Sequence, residues 1–198
     1  MSGVNQKIGI FGGTFDPIHT GHIEIVTRVS QELSLDKTYV VPARNPWMKG
    51  DKKITLFKHR VEMLEIIFGS NEDVEIMCDE KEGEVSYTHN TLVKIEKKHP
   101  GADLYLVIGE DVISRIEEWK KIKEVLKRVT VVCVKREGLE NRDVAARLNG
   151  IHLGSRVVIL EKTSIDASSS DYKKNNKTSF INKDVLKYIY KNNIYKHG

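Results

Sequence analysis

Gly12-Gly13-Thr14-Phe15-Asp16-Pro17-Ile18-His19-Thr20-Gly21-His22 is the stretch that decides the fold of this chain. The apolar run Ile8–Phe11 precedes it and reads as a strand. Ile23–Leu33 follows with apolar residues at helical period. A glycine turn and two histidines therefore stand where a strand ends and a helix begins. In open α/β sheets that junction holds phosphates, because free backbone N–H groups and the helix dipole both favour an anion. Two imidazoles three residues apart on a first helical turn share a face and add donors to the same place. The glycines do not form G-x-G-x-x-G, and no G-x-x-x-x-G-K-[ST] loop is present. A metal site is disfavoured, since no third ligand beyond Asp16 is obvious nearby.

Working outward, apolar strand-like runs recur at Ile8–Phe11, Lys37–Val41, Val74–Met77, Leu104–Ile108, Val129–Val134 and Val157–Leu160. Helical patterns separate them at Ile23–Leu33, Leu56–Phe68, Thr91–Lys98 and Ile113–Leu126. Arg142–Leu148 reads as a short helix and Asp184–Lys191 as a closing amphipathic one. Alternating β and α elements predict an α/β fold: a doubly wound parallel sheet with helices on both faces. Ligands of such sheets bind beyond the carboxyl ends of the strands. Functional residues are therefore expected just after Phe11, Val41, Met77, Ile108 and Val134.

Composition sets the class. The 198 residues suit one domain, residues 1–198, with a substantial core. With 39% hydrophobic and 30% charged residues, the chain reads as a globular protein. No apolar run approaches membrane-spanning length, and the N-terminus lacks a signal-peptide pattern. Cys78 and Cys133 are far apart and read as reduced, core or near-core residues of a cytoplasmic protein. The net charge of +4 suits polyanionic substrates and gives no strong case for nucleic acid.

The eleven-residue string resembles the H-x-G-H motif of the nucleotidylyltransferase superfamily. Its full form is similar to that of the bacterial nicotinate-nucleotide adenylyltransferase family. The resemblance extends from residue 7 nearly to the C-terminus. It implies a Rossmann-like nucleotidylyltransferase fold and adenylyl transfer from ATP to nicotinate mononucleotide, a step of NAD biosynthesis. It also implies His19 and His22 as catalytic residues and Gly12, Gly13, Thr14 and Phe15 as part of the ATP site.

Further motifs extend the likeness. Val41–Lys49 resembles a proline-rich loop ending in a lysine, with Trp47 and Met48 in place of proline and histidine. Lys49 then neutralises a phosphate of nicotinate mononucleotide or is a solvated surface residue. His59-Arg60-Val61-Glu62-Met63-Leu64 resembles H-R-x-x-M-L, with Arg60 favoured as structural. Ser86-Tyr87-Thr88-His89-Asn90-Thr91-Leu92 resembles S-Y-T-x-[DN]-T-L. Serine and threonine suit a helix N-cap, and N–H groups there can grip a carboxylate. The resemblance gives Thr88 this role toward nicotinate.

Ile108-Gly109-Glu110-Asp111 resembles I-G-x-D, making Gly109 and Asp111 candidates for the ATP ribose region, with helix capping as the other reading of Asp111. Trp119 and Lys120 match a tryptophan of the nicotinate pocket, where an indole face suits a positively charged pyridine. Arg136 lies in a strand-end K-R-x-G and is a candidate near the adenylate or pyrophosphate, with a surface arginine as the other reading. Ser168, Ser169 and Ser170 match the S-S-T of I-S-S-T-x-I-R, a triphosphate-binding helix start. Lys173 stands at the arginine position and Tyr172 at the isoleucine. Lysine supplies charge without the bidentate fork.

Magnesium is expected on the ATP triphosphate, mostly water-coordinated, with no protein metal site. ATP and nicotinate mononucleotide are the expected partners, with no nucleic acid and no membrane, and a homo-oligomer is compatible with the sequence. Phosphopantetheine adenylyltransferase and a nonenzymatic nucleotide-binding protein are the alternative readings.

Overall fold

Runs of Val, Ile and Leu build six short strands of a computed structural model that describes residues 5–46, 54–80, 83–135, 141–161, 169–175 and 177–195. The strands are β1 (Lys7–Gly13), β2 (Lys37–Pro42), β3 (Val74–Ile76), β4 (Asp103–Gly109), β5 (Val129–Val134) and β6 (Arg156–Leu160). All neighbours pair in parallel, in the order β3-β2-β1-β4-β5-β6. The helices are α1 (Thr20–Leu33), α2 (Phe57–Phe68), α3 (Thr88–Lys98), α4 (Glu110–Ile113), α5 (Ile122–Arg128), α6 (Asn141–Ile151), α7 (Ser169–Asn175) and α8 (Lys183–Lys191).

Side chains alternate across each strand, so the sheet has two apolar faces to cover. Ile8, Ile10, Tyr39, Leu104, Leu106, Val129 and Val131 pack on one side with Leu92 and Ile95 of α3, Val125 of α5 and Val144 and Leu148 of α6. Phe11, Val40, Val107 and Val132 pack on the other with Val26 and Val29 of α1, Met63 and Leu64 of α2 and Val185 and Ile189 of α8. Each fully buried aliphatic side chain contributes about 1.5–3 kcal/mol. This is the doubly wound arrangement that the alternation predicts, with the strand order reversing between β1 and β4. The crevice beyond those two strand ends is the natural ligand position.

One predicted helix differs. Ile113–Leu126 is not continuous: α4, a 3-10 turn at Ile116–Glu118 and α5 replace it. Trp119 is extended (φ −71°, ψ 133°) and Lys121 is left-handed (φ 56°, ψ 36°). Ile113, Ile116, Ile122, Val125 and Leu126 still reach one core, which is why their spacing imitates a single helix. The break leaves Trp119 and Lys120 outside regular helix.

Candidate active site

The loop after β1 is shaped by its own aromatic residue. Phe15 adopts a left-handed backbone (φ 50°), strained for a bulky side chain. Its ring is buried and lies over Gly13, where an added Cβ would meet ring carbon Cζ at 2.8 Å. Phe15 also stands edge-on to His22, centroids 5.0 Å apart, and to Phe11 at 5.5 Å. Gly13 thus makes room for a ring that supports a histidine.

His19 is the N-cap of α1 and is buried. Its backbone N–H donates to Nδ1 of His22 at 3.2 Å. The two rings stack with centroids 3.6 Å apart. An accepting Nδ1 leaves the neutral imidazole proton of His22 on Nε2, so that nitrogen is a donor.

Asp16, 5% exposed, is the charged centre of the loop. Its Oδ2 accepts from Nζ of Lys173 and from the Thr55 N–H at 3.3 Å, and its Oδ1 accepts from the Tyr195 hydroxyl. Burial by itself would raise its carboxyl pKa. The hydrogen bonds from Lys173, Tyr195 and Thr55 outweigh burial and hold it below the usual value. Ser169 Oγ donates to the Pro17 carbonyl at 2.8 Å, so the start of α7 is bonded to the same loop.

Arg60, 1% exposed, is a structural cation, as its H-R-x-x-M-L context favours. It donates to the carbonyls of Thr55 (3.0 Å), Thr14 (2.8 Å), Ala43 (2.8 Å) and Arg44 (3.4 Å). It therefore pins the β1 loop to the segment after β2. The Ala43 N–H to Gly13 carbonyl bond, 2.8 Å, reinforces that junction.

A second brace leads toward α3. Glu80 Oε2 accepts from the Arg44 N–H at 2.8 Å and from the Ser86 hydroxyl. Ser86 Oγ in turn accepts from the Asn45 N–H at 3.0 Å. The serine of the S-Y-T segment thus braces two loops. The N-cap of α3 is Tyr87, without a side-chain cap, and Thr88 is the first helical residue. Capping by the threonine hydroxyl is not what the backbone does there, because the chain enters the helix one residue earlier.

The Lys120 ammonium lies 4.5 Å from the Tyr87 ring centroid. His89 Nε2 is 2.9 Å from Glu124 Oε2, holding α3 to α5. Trp119 is half-buried against the core, and its indole Nε1 is buried without a partner among the described residues. Gly109 is the N-cap of α4 and Asp111 is exposed on its first turn. Asp111 Oδ1 would lie 2.5 Å from a Cβ at position 109, so this exposed carboxylate would have to turn aside for a larger residue there.

A family model described as cytidylyltransferase-like matches residues 10–175. A probable nicotinate-nucleotide adenylyltransferase of Clostridium novyi is 33% identical over 168 residues, 83% of this chain and 84% of that protein. The chain belongs to the nicotinate-nucleotide adenylyltransferase family. The family member of Bacillus subtilis is 38% identical over 135 residues, 67% of this chain and 71% of that protein. The nicotinic acid mononucleotide adenylyltransferase of Plasmodium falciparum, solved with NaAD, has the same fold. Its TM-score is 0.81 at 22% identity, over 96% of this chain and 98% of that one.

Within this family member the structure brings several expected residues together. Gly12 and Gly13 end β1, Thr14, Phe15, His19 and His22 form the loop and first helical turn after it, and Ser169 and Lys173 bond to that loop. Ser170 lies on the first turn of α7 and is exposed. Tyr172, at the isoleucine position, is a buried core residue. Lys120, next to Trp119, lies over the ring of Tyr87, the residue before Thr88; Gly109 ends β4 and Asp111 lies on the first turn of α4. Lys49, Arg136 and Ser168, with Trp47 and Met48, lie outside the described residues.

Three working residues carried no sequence signal of their own. Glu80 sits in a charged loop with no periodicity. Tyr195 belongs to a polar tail. Asp16 is inside the motif, yet its partners are 39, 157 and 179 positions away.

Proposed function

We propose that this protein transfers the adenylyl group of ATP to the phosphate of nicotinate mononucleotide, as one nucleotidylyltransferase domain. Family membership supports the reaction. The observation that carries the site is the bonding of the Ser169–Lys173 segment to the His19–His22 loop, through Ser169 to Pro17 and Lys173 to Asp16. Two segments separated by some 150 positions, each carrying residues expected on one triphosphate, are bonded to each other.

The reaction is in-line displacement at the α-phosphorus. A phosphate oxygen of nicotinate mononucleotide forms the new O–P bond, the bond to the β-phosphate bridging oxygen breaks, and pyrophosphate leaves. A phosphate monoester has a second pKa near 6 and is largely dianionic at neutral pH. No general base is required, and the protein's work is positioning and charge stabilisation. In this reading the Nε2–H of His22, with His19, meets the α-phosphate oxygens. The Ser169–Ser170 hydroxyls and the Lys173 ammonium hold the departing phosphates.

Both oxygens of Asp16 are already engaged, and the other polar groups of the loop are imidazole, hydroxyl and backbone N–H donors. That donor set fits phosphate oxygens rather than a protein metal cage. Magnesium, held by the triphosphate and water, would supply charge neutralisation of the phosphates. On the acceptor side, the α3 N-terminus at Thr88 favours the nicotinate carboxylate. The indole N–H of Trp119, unpaired among the described residues, is a donor that a bound ligand would satisfy. An indole face also attracts a cationic pyridine by about 0.5–2 kcal/mol.

The deciding experiment is magnesium-dependent pyrophosphate release from ATP with nicotinate mononucleotide, nicotinamide mononucleotide and phosphopantetheine in parallel. Release fastest with nicotinate mononucleotide is expected. Release with phosphopantetheine alone would keep the adenylyl chemistry and replace the acceptor. No release with any of the three would sink the reading.

A further inference from the structure

The described residues that follow α8, 192–195, fold back on the molecule. Asn193 and Tyr195 both adopt left-handed backbones (φ 49° and 55°), and the Ile194 N–H bonds back to the Ile189 carbonyl at 3.1 Å. The helix beneath is anchored, since the Tyr188 hydroxyl and His59 Nδ1 are 2.8 Å apart. This fold-back delivers the Tyr195 hydroxyl to Oδ1 of Asp16. The Tyr195 ring also stands edge-on to buried Tyr172, centroids 5.7 Å apart, and carries the Lys173 ammonium 5.1 Å from its centroid.

One tyrosine therefore touches both members of an ion pair: its hydroxyl serves the carboxylate and its ring face serves the cation. We propose that Tyr195 is a positioning residue for adenylyl transfer, which holds Asp16 when the Lys173 ammonium turns to a phosphate of ATP. The proposal rests on the phosphate-binding role given to Lys173 above.

The physical reason lies in the burial of Asp16. A buried carboxylate that loses its cation must keep hydrogen bonds or the cation does not leave. Without Tyr195, an Asp16 that released Lys173 would retain, among the described residues, the Thr55 N–H at 3.3 Å and the Thr55 side chain, with no donor from the tail. The lysine would then stay on Asp16 and be withheld from ATP. With Tyr195, the carboxylate keeps a strong donor on its other oxygen, and the ammonium shares its charge at lower cost. The hydroxyl stays protonated in this role: burial first, then the Asp16 charge and the hydrogen bond to it, push the phenol well above its ordinary range.

The variant Tyr195→Phe keeps the ring under Lys173 and removes only the hydroxyl. The expected result is a KM for ATP raised about tenfold, the effect of one hydrogen bond to a charged group. The KM for nicotinate mononucleotide should stay within about twofold, since the acceptor site does not include this pair. Tyr188→Phe removes a hydrogen bond of the same tail, to His59, and is the stability control. It should lower Tm by a similar amount and leave the KM for ATP unchanged. An unchanged KM for ATP in Tyr195→Phe, an equal rise for both substrates, or the same ATP shift in Tyr188→Phe would each overturn the proposal. Titration calorimetry with Mg·ATP alone separates this from the acceptor assignment. Weaker ATP binding in Tyr195→Phe supports the proposal even if wild-type protein releases no pyrophosphate with nicotinate mononucleotide, a result that counts against the acceptor reading only. Equal ATP binding in wild type and variant counts against the tyrosine.

Discussion

The backbone N–H of His19 donates to the ring Nδ1 of His22, so the first histidine of the motif fixes the proton position on the second. A neutral ring so held presents Nε2–H as a donor, oriented further by the Phe15 ring 5.0 Å away. His22→Ala should leave the fold intact, since His22 is only partly buried. Turnover should fall by about 100- to 1,000-fold, the usual effect of losing one donor to a transition-state oxyanion. Pyrophosphate release and circular dichroism on the same sample check both halves. Near-normal turnover would remove His22 from the chemistry.

The proposed acceptor site makes the α3 N-terminus the basis of acceptor choice. In the proposed site nicotinate would present an anion to the first turn at Thr88, whereas nicotinamide would present a neutral amide. A charge-assisted hydrogen bond is worth about 1.5–3 kcal/mol. The ratio of kcat/KM for the two mononucleotides should therefore favour nicotinate by about tenfold or more. Equal values would deny the helix start any part in selection.

Arg60 predicts a stability effect rather than a catalytic one. Arg60→Leu keeps an apolar stem and strands the carbonyls of Thr14, Ala43 and Thr55. Each buried acceptor left unpaired costs about 1–3 kcal/mol, and the terms overlap. A loss of about 3 kcal/mol in urea unfolding is expected, with weakened activity because the β1 and β2 loops separate. A loss below about 0.5 kcal/mol would mean that water replaces the guanidinium.

Asp16 makes stability depend on acid pH. Its folded pKa lies below the ordinary value of 3.8. The contribution is therefore complete above the ordinary carboxylate range and is lost as pH falls through the folded pKa. Asp16→Asn should flatten this part of the profile, as read from urea midpoints between about pH 6 and pH 2. An unchanged slope would mean that other carboxylates govern acid unfolding.

Cys133 should be inert in the native protein. Burial first, then the nearby Glu110 and Asp111 charges, push its thiol up to about 11. At neutral pH about one thiol in ten thousand is then ionised. Alkylation by iodoacetamide should be slow until the protein is unfolded, and rapid native labelling of Cys133 by mass spectrometry would contradict its burial in β5.

The sheet was legible because its strands are buried on both faces. A continuous apolar run such as Val129–Val134, set between helical patterns, fits a strand covered on both sides and little else. The broken segment between Ile113 and Leu126 was not legible. Its buried residues keep helical spacing while Trp119 and Lys121 change the backbone, and periodicity reports only the first. The histidine loop was readable as a string, and the Arg60 role was favoured from its context. The brace at Glu80 and the Asp16–Tyr195 bond were not, since long-range pairing of single polar residues leaves no period. Thr88 shows a subtler limit: its residue type suits a cap, yet the helix begins one residue before a cap at Thr88 would place it.

The bond between Asp16 and Tyr195 spans 179 positions. Closing so long a loop is entropically costly and slow relative to local contacts. The loop after β1 is thus completed by material made at opposite times in synthesis. A nascent chain that has emerged through β6 carries every strand, the glycines and both histidines, and still lacks the tyrosine that completes the Asp16 pair. A message truncated just short of Tyr195 would yield a protein that passes every test of secondary structure while its charged loop is left one donor short.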